Sequence, residues 1–184
     1  MALLSAFREL CTRLRRLQDT FIALRLTVVE DKPVKGDSAL VDRLEDSILD
    51  LMGVMHECFG EARKAQRALE SHLALEDARR ALGACQEQFH KMQLEFGQNL
   101  GSYENLNDLA SLGAERRGEW KPWSSSVRDG VNQCRQPLDE ISKGLSDCWQ
   151  EIAERVSSTS ISVHTTGQQI TVPAGAVPSS GDAV

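Results

Sequence analysis

The stretch "EQFH" carries Glu87 and His90 at the Glu-x-x-His spacing of a carboxylate di-metal centre. Such a centre needs two of these pairs and two further inward Glu residues, one set from each facing helix. The chain has no second pair, and Phe89 takes the inward position between Glu87 and His90. Metal chemistry is therefore not expected there. His56 has Met55 and Cys58 for neighbours, a set that could suggest haem or copper. No C-x-x-C-H attachment motif accompanies it. The i, i+2 spacing of His56 and Cys58 sends them to different helix faces, so they do not form a nucleophile and base.

The segment "KPVKGDS" offers Lys32, Lys35 and Gly36 to a phosphate. It lacks the G-x-x-x-x-G-K-[ST] spacing that wraps backbone amides around one, and reads as a turn. No nucleophile-elbow, zinc-protease, zinc-finger or dinucleotide fingerprint occurs. The expectation is a protein without catalytic residues, cofactor or metal.

Binding residues are easier to find. Arg8, Arg13, Arg15 and Arg16 cluster near the N-terminus, and Trp120 and Trp123 flank Lys121 and Pro122. Exposed tryptophans are common contact hot spots, although the same pair could seal the end of a bundle. The overall charge is −6. Residues 1–36 carry seven Lys/Arg against four Asp/Glu, and the rest carry 14 against 23. An acidic chain argues against general nucleic-acid binding, which depends on neutralising phosphates. Membrane binding by residues 8–16 would require the helix to leave the bundle that claims its apolar face. An acidic protein or an internal ion pair fits this basic end better.

Five cysteines, Cys11, Cys58, Cys85, Cys134 and Cys148, are an odd number without a C-x-x-C pair. They read as reduced, buried, small apolar residues. The opening "MALLSAFRELCTRLRR" puts Arg8 and Glu9 where a secretory signal keeps its apolar stretch. No apolar run approaches the roughly 18 residues of a membrane span. The cytoplasm is the expected location.

Four amphipathic ladders must position these residues. Leu3, Phe7, Leu10, Leu14, Leu17, Phe21, Leu24 and Val28 recur at steps of four and three, one stripe along a helix. Pro33 and Gly36 end it, and Asp37 or Ser38 can cap the next helix. The second ladder runs Val41, Leu44, Ile48, Leu51, Met55, Cys58, Ala62, Ala65 and Leu69. Its phase then slips, which places a tight turn near "ESHLALED". The third passes Leu75, Ala78, Leu82, Cys85, Phe89, Met92 and Phe96, and residues 98–123 are irregular or a short helix. The fourth is Val127, Val131, Cys134, Leu138, Ile141, Leu145, Cys148, Ile152 and Val156, with a kink expected at Pro137.

The expected helices are 2–29, 38–70, 75–97 and 124–157. Their natural arrangement is an all-α, elongated, antiparallel four-helix bundle over residues 1–157 with heptad-like seams. Residues 158–184 then form a C-terminal tail. Within it, a turn at Thr166 and Gly167 would pair Ile161 with Val172 and Val163 with Ile170 in a β-hairpin over 160–172. A lone hairpin is marginal in water, so it would dock on a partner, for example at a sheet edge. The function expected is a non-enzymatic adaptor or accessory subunit of a cytoplasmic assembly. Ile161, Val163, Ile170, Val172, Trp120, Trp123, Arg13, Arg15 and Arg16 are its candidate contacts. The alternatives are a ligand- or metal-binding bundle with enzymatic activity, and a nucleic-acid- or membrane-surface protein using residues 8–16. Heptad seams serve intermolecular coiled coils equally well, so self-association stays open.

Overall fold

The computed structural model of the chain describes residues 2–32, 38–71, 75–100 and 117–166, without side chains at 2, 38, 117–119 and 158–166. Four helices follow in order: α1 (Ala2–Glu30), α2 (Ser38–Glu70), α3 (Leu75–Glu95) and α4 (Arg117–Thr166). One π-helical turn, Phe96–Leu100, extends α3. No strand occurs among the described residues.

All eight stripe positions of α1, from Leu3 to Val28, are buried. Helical periodicity puts them on one face, and burying a Leu or Phe there contributes about 1.5–3 kcal/mol each. The small side chains of Ala62, Ala65 and Ala78 are fully buried where α2 meets α3 across their connection. Among the described residues, no polar or charged residue is fully buried.

Side-chain contacts fix the order of the helices. Arg25 Nε and Nη2 donate to Glu45 Oε1 at 2.9 and 2.6 Å, while Cys11 meets Gln66 at 3.6 Å, so α1 and α2 are antiparallel. Gln93 meets Ser142 and Trp149 meets Gln86, which makes α3 and α4 antiparallel. Arg13 reaches Glu140 and Trp123 reaches Val28, closing α4 back on α1. Phe21 and Phe96 touch across the interior with ring centroids 6.4 Å apart, so α1 and α3 are diagonal neighbours. Residues 1–152 thus form a helical bundle whose sequential neighbours run antiparallel.

Three boundaries differ from the sequence expectation, the end of α4 at Thr166 among them. The fourth helix begins at Arg117, with Pro122 inside it. Pro122 lacks an N–H and removes a single bond to the turn before it. Burial of both Trp120 and Trp123 offsets that loss. The third helix gives way to a π turn, which holds Phe96 and Leu100 against the core together. Phe96 and Leu100 are an i, i+4 pair, a spacing that stays on one face of a helix.

α4 continues through Pro137 without a break. Its ladder stays buried on both sides, with Cys134 before the proline and Leu138, Ile141 and Leu145 after it. The chain divides into compact units at Ile152 and Ala153. Within the second unit, 153–166 is helical and residues 153–157 are exposed.

Helical backbone to Thr166 overlaps the first half of the hairpin expected over 160–172. Its second half, with Ile170 and Val172, lies outside the described residues, as do the side chains of Ile161 and Val163. The loop with Pro33, Lys35 and Gly36 also lies outside them.

Candidate functional site

Arg15 of α1 and Arg63 of α2 approach one aromatic ring from two helices. Their guanidinium carbons lie 5.9 and 5.7 Å from the Phe59 centroid. Arg8, Cys11, Thr12 and Gln66 complete a groove of about 280 Å³ between the two helices. The heptad step from Arg8 to Arg15 keeps both on the side of α1 that faces α2, outside the core stripe.

Polar contacts at one end of the groove are already committed. Gln66 Nε2 donates to Glu70 Oε1 at 2.9 Å, and Arg8 Nη2 does so at 3.4 Å. The Gln66 bond and then the Arg8 bond hold the Glu70 carboxyl below the usual carboxylate range. The Cys11 thiol faces Gln66 Oε1, and burial pushes its pKa up to about 11 against the opposing pull of Arg63 and Arg15. A thiol so protonated at neutral pH is a poor nucleophile. The groove presents guanidinium groups from both helices around one aromatic ring, beside a protonated thiol.

A second groove of about 310 Å³ lies between α3 and α4, lined by Gln86, Phe89, His90, Gln93, Ser142 and Trp149. Its amides are largely engaged: Trp149 Nε1 donates to Gln86 Oε1 at 2.6 Å, and Gln93 Nε2 to Ser142 Oγ at 3.1 Å. Glu87 and His90 are exposed on the outside of α3 while Phe89 is buried. His56 is likewise exposed, and Met55 and Cys58 are buried. Among the described residues, no three His, Cys, Asp or Glu side chains converge as metal ligands.

The residues singled out from sequence separate into different settings. Arg13 turns inward: its Nη1 donates to the Glu140 carbonyl at 2.8 Å and its Nε pairs with Glu9. Arg15 lines the groove, and Arg16 is exposed beside it on α1. Trp120 and Trp123 are 1% and 3% exposed and pack edge to face at 5.0 Å, which places them inside the bundle end. Their position favours sealing the bundle over serving as surface anchors. Phe59, Arg63 and Gln66 were not apparent from the sequence, because their partners in the groove lie about fifty residues away. The only local hint was Phe59 and Arg63 at i, i+4.

Farther along the same helix pair, Ile22 and Leu26 of α1 and Leu49 of α2 are exposed at 41%, 45% and 42%. Leu49 stands one turn from Glu45, and Ile22 nearly one turn back from Arg25. The antiparallel Arg25 and Glu45 pair therefore sets Ile22 and Leu49 at one level. One side of the α1 and α2 pair is thus basic toward Arg8 and apolar toward Leu26.

No helix among the described residues is long and apolar enough to cross a membrane. No family model matches the chain, and neither a curated protein nor a solved structure matches it.

Proposed function

We propose that this chain is a non-enzymatic interaction module, an adaptor or accessory subunit of a cytoplasmic assembly. Its partner is a protein segment that sets apolar side chains on Ile22, Leu26 and Leu49 and turns acidic groups toward residues 8–16. The C-terminal tail beyond residue 158 adds a second contact through Ile161, Val163, Ile170 and Val172.

The exposed strip of Ile22, Leu26 and Leu49 carries this reading. Three large aliphatic side chains within one turn of a helix pair gain nothing from water, and an amphipathic helix laid along them would bury them. Arg15 and Arg63, without an ion pair among the described residues, supply at the other end of the same face the charge complementarity that would orient such a helix.

The test is direct binding by a partner recovered with the full chain and then purified. Ile22→Ser with Leu49→Ser should weaken it by about tenfold or more, given the contribution of buried aliphatic groups. Truncation after Ser158 should weaken it further without unfolding the bundle. Retention of full affinity by both variants would reject the proposal.

A further inference from the structure

We propose that the groove at Arg15, Arg63 and Phe59 is a binding site for a phosphomonoester, carried by a free small molecule or by a protein side chain. This does not rest on the partner reading above, because a small anion fills the groove whether or not a protein covers the apolar strip.

Arg15 and Arg63 are set apart by converging on one ring, since Arg16, Arg43, Arg67 and Arg128 also have no carboxylate within ion-pair distance among the described residues. Arg8 pairs with Glu70, Arg13 with Glu9, Arg25 with Glu45, Arg79 with Glu76 and Arg80 with Asp77. Arg15 and Arg63 have no carboxylate within ion-pair distance among the described residues, in a chain whose net charge is −6. The sequence accounts for part of this. Three and four positions from Arg63 stand Gly60, Phe59, Gln66 and Arg67, none of them acidic. Arg15 does have Asp19 at i+4, yet its guanidinium lies over Phe59 instead. Glu70, bonded to two residues that line the groove, is occupied by Gln66 and Arg8.

The ring fixes these cations without neutralising them. A cation–π contact within about 6 Å orients a guanidinium but leaves its N–H edges free. Two such groups on one ring repel each other, and an anion between them relieves the repulsion. A carboxylate brings two oxygens and a single negative charge to two guanidinium groups. A phosphomonoester offers three terminal oxygens and a charge of about −1.5 to −2, enough for a fork from each side. Arg8 lines the same groove with its Nη2 on Glu70. A volume of about 280 Å³ falls at the lower end of small-ligand sites and suits a phosphate with a few attached atoms.

The test uses the full-length chain and isothermal titration calorimetry in chloride buffer. The probes are inorganic phosphate, O-phosphoserine, and one short peptide carrying serine, phosphoserine or glutamate at its centre. O-phosphoserine and the phosphoserine peptide are expected to bind one per chain. Arg63→Ala or Arg15→Ala should weaken that binding by about tenfold or more, as loss of a charged hydrogen bond implies. Arg63→Lys should not restore it, because an ammonium lacks the planar fork. Both arginines are exposed, so these variants leave the core intact, and a thermal melt verifies it. Tighter binding of the phosphopeptide than of O-phosphoserine would identify a protein source, and equal binding a small molecule. No heat from any phosphate probe at millimolar concentration overturns the proposal. So does unchanged affinity in the Arg15→Ala, Arg63→Ala double variant, or a glutamate peptide that binds as tightly as the phosphoserine one.

Discussion

Cys58 of α2 and Cys85 of α3 face each other inside the bundle with their sulfur atoms 3.4 Å apart. The Cys58 thiol also lies 3.5 Å from the Cys85 carbonyl. They are free thiols, and the hydrogen bond shared with Cys58, followed by burial, pushes the Cys85 pKa far above the ordinary thiol value. All five cysteines are buried. Alkylation requires both a thiolate and access, and burial denies access to all five. Native protein treated with iodoacetamide at pH 7.5 should therefore gain almost no mass, whereas protein in denaturant should gain five adducts. Rapid modification of Cys58 or Cys85 in the native state would mean that α2 and α3 separate readily.

The same burial predicts sensitivity to alkali. Burial pushes Cys134 and Cys148 up to about 12 from an ordinary value of 9.0. The unfolded chain releases these protons at lower pH than the folded one. Their contribution to stability is full below pH 9 and declines as pH rises toward 12. Each thiol that ionises only on unfolding steepens the loss by up to about 1.4 kcal/mol per pH unit. Urea titrations at pH 8, 9 and 10 should show the decline, and Cys134→Val should make it shallower. An identical slope in that variant would assign the decline to other groups.

Gly130 and Gly53 should respond oppositely to alanine. A Cβ on Gly130 would stand 2.8 Å from Leu24 Cδ1, and Leu24 is 1% exposed, so its side chain has little space to retreat into. A Cβ on Gly53 meets nothing within 4 Å. Alanine is better than glycine in a helix interior by about 1 kcal/mol, so Gly53→Ala should stabilise by roughly that much. At Gly130 overpacking of about 1–3 kcal/mol outweighs the gain, and a net loss of about 1 kcal/mol is expected. Leu24→Ala in the Gly130→Ala background should cost less than it does alone, the signature of a shared contact.

The helices were legible in the sequence because their information is local. A stripe such as Leu3 to Val28 records its own face, and its burial requires only that another helix be present. The slip of phase after Leu69 separates α2 from α3 for the same reason. What the sequence concealed was pairing over distance. Nothing local to Arg63 indicates that Arg15 would share its aromatic ring, and nothing local to Arg13 indicates that it would bind the carbonyl of Glu140. The tryptophans were ambiguous because "EWKPW" contains a proline that reads as a boundary. Only packing against the end of α1 reveals that the helix runs through it.

That packing carries the last prediction. Helix α1 ends at Glu30, so the carbonyls of its last turn have no amide four residues ahead within the helix. Trp123 Nε1 donates to one of them, Val28 O, at 3.3 Å. The indole therefore fills the bundle end and also satisfies a polar group of α1. Trp123→Phe keeps most of the apolar volume and the contact with Trp120, but removes the donor. It should destabilise the bundle by about 1–2 kcal/mol, the cost of an unmet buried carbonyl. Trp123→Ala opens a cavity as well and should cost about 3–5 kcal/mol. Urea unfolding followed by circular dichroism separates the two contributions, provided the dependence on urea stays unchanged. A phenylalanine variant as stable as the parent would show that Trp123 serves by volume alone, with the Val28 carbonyl satisfied by solvent.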